Sequence, residues 1–174
     1  MSDEFEKISG LVNSALDEVY AKDLHLIDNS PIFLTEVDGK HYVGERSIVF
    51  RFAHYLQNLI DNDGTYASYN LDCEYNRNGV ETKNLPQSPN GTFPDVILHK
   101  RGSNDHNITV LEFKTHWNKN QADDKRKIRE FTDGSGAYHF HSGATILIAK
   151  SRDKVKIDWY VDGRKINPVD YHKS

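Results

Sequence analysis

Residues 91–117, GTFPDVILHKRGSNDHNITVLEFKTHW, contain an aspartate, a glutamate and a lysine whose spacing suits hydrolytic chemistry. Segments 93–100 and 108–115 are apolar and β-branched in their centres. Between them, 101–107 collects Gly, Ser, Asn and Asp, so the stretch predicts two strands joined by a turn. Side chains alternate across a strand, which puts Glu112 and Lys114 on one face together with Ile108 and Val110. Asp95, on the partner strand, can converge on them. Acids and an amine at the end of an apolar face are costly to bury without a use. Asp95 and Glu112 offer hard oxygen ligands to Mg²⁺, which binds through one or two carboxylates plus water and substrate phosphate. Such an ion lowers the pKa of a bound water, and Lys114 would orient that water and stabilise the transition state. The chemistry is metal-assisted hydrolysis of a phosphodiester; the plainer alternative is a solvated Glu/Lys pair on an edge strand.

The elements that must position these groups follow from apolar periodicity. Residues 45–60 predict a helix in which Ile48, Val49, Phe52, Leu56, Leu59 and Ile60 form one stripe, and Glu45 falls inside it. A carboxylate on that face is either a cap at the helix N-terminus or a third acid of the site. Residues 69–75 predict a strand, with Asp72 and Glu74 on one face; Glu74 is either a supporting acid or part of a solvated face. The polar segment 76–92 reads as a long loop able to cover a substrate groove in front of Asp95. A helix at 122–132, capped by Asp123 or Asp124, has Ile128 and Phe131 inward and carries Lys125, Arg126, Lys127 and Arg129. Residues 144–150 form a continuous apolar run, hence a strand buried on both faces, and 155–161 pairs at the sheet edge. Ahead of all this, 3–21 is an amphipathic helix and Asp38-Gly39 marks a hairpin between 32–37 and 40–43.

Pro94-Asp95 followed by Glu112-Phe113-Lys114 resembles the signature of the PD-(D/E)xK nuclease superfamily. The order helix with Glu45, strand LDCEYNRNG, loop with Lys83, FPDVILHKRG and ITVLEFK is similar to a group of small bacterial proteins of that kind, over roughly residues 44–131. The resemblance implies an α/β fold with a restriction-endonuclease-like αβββαβ core, to which the N-terminal helix and hairpin are additions. The expected sheet is mixed, of about four or five strands: three in a meander, then a crossover by the 122–132 helix to the 144–150 strand. The resemblance further implies Mg²⁺, with Mn²⁺ substituting, held by Glu45, Asp95 and Glu112, with Lys114 catalytic. It points to Lys127 for phosphate contact, because the corresponding helix in the family often carries a lysine near the active site. Trp117 and Arg101 are the other candidates for substrate contact, Trp117 by stacking on a base.

Length and composition bound the rest. The 174 residues suit a single domain (1–174), and 28% charged with 37% hydrophobic residues suits a globular chain. One cysteine, Cys73, rules out an internal disulfide framework and fits a reducing, cytoplasmic setting. No run is long enough to span a bilayer, and no secretory signal precedes the first helix. With a net charge of −4, a nucleic-acid partner, DNA ahead of RNA, must be held by a local patch. The expectation is a divalent-metal-dependent nuclease. The alternative is a binding protein on the same fold that occupies a nucleic acid or protein partner without cutting. Duplex cleavage would call for a homodimer, for which the N-terminal helix is the candidate element.

Overall fold

Heptad-like spacing of apolar residues drives the first element. Helix α1 spans Ser2–Lys22, with Asp3 and Glu4 in its first turn and Lys22 in its last, matching the helix dipole at both ends. This computed structural model describes residues 2–28, 44–88, 90–118 and 120–171; the hairpin expected at 32–43 lies outside them. Helix α2 spans Glu45–Asp63 and stops at Gly64, whose φ of +74° lets its N–H bond the Ile60 carbonyl at 3.0 Å.

Strand β1 is Asn70–Cys73. The segment expected as a plain loop then forms a two-rung hairpin, β2 (Arg77–Asn78) against β3 (Glu81–Thr82). Strand β4 is Val96–His99 and β5 is Thr109–Thr115. Helix α3, Ala122–Thr132, leads to β6, Ser142–Ile148. The chain closes with β7 (Lys156–Val161), β8 (Arg164–Ile166) and a short helix α4 (Pro168–Tyr171).

The described residues form a mixed six-stranded sheet in the order β1-β4-β5-β6-β7-β8, in which only β5 and β6 run parallel. The meander and the α3 crossover follow the expected order, but four or five strands is too few. The missing strand is β8, joined to β7 by Asp162 and Gly163 at φ +49° and +69°. Two residues with positive φ are what a tight right-twisted hairpin requires, and Asp-Gly supplies them.

The sheet separates two apolar clusters. On one face α1 and α2 pack over Val96, Leu98, Leu111, Phe113 and Ile146, with Phe5 edge-on to Trp159 at 5.2 Å. On the other, Ile128 and Phe131 of α3 pack over Ile97, Val110 and Tyr160. Val110 shares the α3 side with Glu112 and Lys114 by alternation. Ile108, expected there too, precedes β5 and joins the opposite cluster instead.

The expected dimer surface on α1 is used up inside the chain. Phe5, Ile8, Val12, Leu16 and Val19 are 0% exposed, and the Tyr20 hydroxyl bonds the Ala149 carbonyl at 2.6 Å. The stripe is already covered within the chain, by α2 and the sheet. No helix among the described residues is long and apolar enough to cross a membrane.

Candidate active site

The site forms where β4 begins, β5 ends, and the first turns of α2 and α3 meet. Asp95 sits immediately before β4, and its Oδ2 accepts the Phe113 N–H at 2.7 Å. Backbone pairing of β4 with β5 stops at Val96↔Leu111, so the carboxylate takes over a sheet donor that has no strand partner there. This locks Asp95 at the strand mouth and leaves its other oxygen for other work. Glu112, one residue before that amide, is 3% exposed beneath α3.

Lys114 links the elements. Its Nζ donates to Glu45 Oε1 at 3.2 Å and to the Phe113 carbonyl at 3.0 Å, and lies 3.5 Å from Asp124 Oδ2. Lys127 Nζ lies 3.4 Å from Asp123 Oδ2 and 4.0 Å from both Glu112 Oε1 and Asp124 Oδ1. Four acids and two amines therefore share one cluster: Glu45, Asp95, Glu112 and Asp124 with Lys114 and Lys127.

Burial sets the protonation of the cluster. It pushes the Asp95 carboxyl up to about 6, against the Phe113 hydrogen bond and the Lys114 charge. Burial, followed by the charge of Asp95, holds Glu112 well above the usual carboxylate range, with Lys127 opposing. Asp124 is raised by burial despite both lysines. For Lys114, burial would favour the neutral amine, but Asp124 and Glu45 outweigh it and raise the pKa. Neighbouring carboxyls that raise one another are what a cation would relieve.

Among the described residues, no group of three His, Cys, Asp or Glu side chains is arranged to hold a metal ion. Of the expected ligand set Glu45, Asp95 and Glu112, Glu45 gives its Oε1 to Lys114, and Glu112 faces Lys127 at 4.0 Å. A two-carboxylate arrangement does fit. Mg²⁺ ordinarily takes one or two protein carboxylates and fills its remaining positions with water and phosphate. Glu112 Oε1 and Glu45 Oε2 are both buried and accept no hydrogen bond, so each retains ligating capacity.

Lys127 reaches the cluster as expected, but two other candidates for substrate contact do not join it. Arg101 lies beyond the end of β4 whereas Asp95 precedes its start, so the strand's length, about 13 Å of extended chain, and Lys100 separate them. Arg101 is held there by both carboxylate oxygens of Asp72, which also bonds His99 at 2.9 Å. Trp117 lies just beyond β5, packed against the α1/α2 cluster, with its ring 4.7 Å from that of His116. Glu74 pairs with Arg46 at 2.7 Å, at the side of the groove that Glu45 and Asp95 also line.

The residue that sequence reasoning missed is Asp124. Read as a cap, it instead lies on the buried face of α3, while the N-cap position is Gln121. Its spacing from Ile128 and Phe131 is the signal that marked Glu45: an acid inside an apolar helical stripe. No protein-family model matches the chain, and no curated protein matches its sequence.

Proposed function

We propose that this protein is a divalent-metal-dependent nuclease that hydrolyses phosphodiester bonds, with DNA as the first substrate to test. The observation that carries the reading is the pairing of Asp95 and Glu112. They are acids of adjoining sheet segments, both raised above the ordinary carboxylate range, with Lys114 beside them at the same sheet end. Asp95 and Glu112 would hold Mg²⁺ or Mn²⁺, and the ion supplies Lewis-acid polarisation of the phosphate and a water of lowered pKa. Glu45 and Asp124 fix the Lys114 ammonium, which orients the attacking water and meets the charge that develops on phosphorus. Water attacks, one P–O ester bond breaks, and the products are a phosphate monoester end and a hydroxyl end. Lys127 adds a second positive charge for the phosphate.

Plasmid and linear DNA incubated with Mg²⁺, Mn²⁺ or EDTA test this. Cleavage that needs the metal and is lost in Asp95→Ala and Lys114→Ala is the expected result; cleavage persisting in both variants removes the assignment. A binding protein without cleavage is favoured by one observation, that Lys114–Glu45 and Lys127–Asp123 already balance charge inside the cluster. Calorimetric titration separates the two, since only the nuclease reading requires Mg²⁺ or Mn²⁺ to bind at millimolar concentration.

A further inference from the structure

Beside the acidic cluster runs a groove of about 590 Å³, between the first turns of α2, the end of β1 and the segment entering β4. Glu45 and Asp95 line it, so it is continuous with the candidate active site. So do Phe50 and Phe93, which are 66% and 53% exposed. Neither ring stacks on another ring among the described residues. Arg46, paired with Glu74, brings a cation to the same groove. Two open aromatic faces, a cation and ligating carboxylates thus occur within one continuous cleft.

We propose that this groove receives an unpaired nucleic-acid strand, whose bases stack on Phe50 and Phe93 so that a backbone phosphate lies over Asp95. The proposal rests on the nuclease reading and names its substrate class. Every base offers a π-face to an aromatic side chain whatever its identity, but within a duplex both faces are covered by neighbouring bases. An apolar peptide side chain filling the groove would strip water from Glu45 and Asp95 with nothing to replace it. A stacked nucleotide keeps its polar edge wet and brings its phosphate within reach of Arg46. A strand bound in this way is cut at one site, so no second copy of the chain is required.

Fluorescence anisotropy tests this with a labelled oligothymidine of about 12 nucleotides and the same strand annealed to oligoadenosine. Mg²⁺ is present, and the full chain carries Lys114→Met so that cleavage does not consume the probe. The single strand is expected to bind at least about tenfold tighter than the duplex. Phe50→Leu and Phe93→Leu should each weaken strand binding about fivefold or more, while Phe50→Trp retains it, because leucine is apolar but has no π-face. Both phenylalanines are exposed, so the variants keep their core, which circular dichroism checks. Equal or tighter duplex binding, or Leu variants that bind like the parent, would overturn the proposal. Strand preference intact in a protein that never cleaves would remove the nuclease reading alone; duplex cleavage with no strand preference would remove this proposal alone.

Discussion

Lys114 Nζ lies 3.2 Å from Glu45 Oε1, tying the last turnward residues of β5 to the first residue of α2. Both side chains are mostly buried, so the pair holds the helix N-terminus against the sheet end where the acids gather.

Glu45→Gln tests that tie. Removing the carboxylate leaves burial opposed mainly by Asp124, so the Lys114 pKa falls. NMR of the labelled lysine side chain reads the shift directly. The partly buried amine also loses its nearest partner, which should cost about 1–2 kcal/mol in urea unfolding, between the values for exposed and fully buried pairs. An unchanged Lys114 titration would show that Glu45 does not set its charge.

Asp95 gives a pH dependence of unusual sign. Its folded pKa, about 6, exceeds its ordinary 3.8, so between those values the native state holds a proton that the unfolded chain has released. Its contribution is fully present below about pH 4 and is lost as pH rises through 6. Asp95 is mostly buried, so the effect is on the order of 2–3 kcal/mol. Asp95→Asn, which can still accept the Phe113 N–H, should therefore be more stable than the parent at pH 7.5 and equal to it near pH 4. On the proposed nuclease reading the metal-binding acid must be ionised, so cleavage should rise with pH through about 6. Urea midpoints across this range decide; a variant less stable at pH 7.5 would contradict the burial argument.

Helix boundaries and the parallel strand pair were legible because they rest on local pattern. Residues 122–132 match α3 residue for residue, and the apolar run at 144–150 overlaps β6, which spans Ser142–Ile148. Glu45 was legible as an acid in an apolar stripe, and Asp124 was readable by the same test. What local pattern cannot convey is which end of a strand a residue occupies relative to the site. Arg101 was expected at the acids, yet the length of β4 and the Asp72 carboxylate hold it away. Trp117 likewise needed the packing of α1 and α2 to be known, because its partly buried ring packs against residues far away in sequence. The β2–β3 hairpin has no apolar period to announce it; buried Lys83, whose Nζ donates to the Arg77 carbonyl and faces the Tyr75 ring at 4.9 Å, helps to hold it.

Gly143 sets how closely α3 can approach the sheet. A Cβ there would meet methyls of Ile128 and Thr132 at 2.9 Å and of Val110 at 3.0 Å. Gly143→Ala should cost about 1–3 kcal/mol by overpacking. It should also displace Asp124 and Lys127, lowering cleavage more than the lost stability alone explains. Gly10 is the control: it lies in α1 with nothing within 4 Å, so Gly10→Ala should stabilise the chain by about 0.5–1 kcal/mol. Thermal unfolding of the two variants, with cleavage measured well below either transition, separates the effects.

Helix α1 is expected to stabilise the chain from within and not to join two copies. Its apolar stripe is fully covered by α2 and the sheet, and Arg152 reaches back from the β6–β7 connection to bond Asp17 at 2.6 Å and Asn13 Oδ1 at 2.9 Å. Light scattering at two concentrations should give one species near 20 kDa, the mass of a single chain. Val12→Asp places an unpaired charge in a fully buried position, so it should lose several kcal/mol or fail to fold. If α1 were instead a dimer element, the same variant would yield a folded chain of halved mass. That outcome would restore a two-site arrangement for cutting duplex DNA.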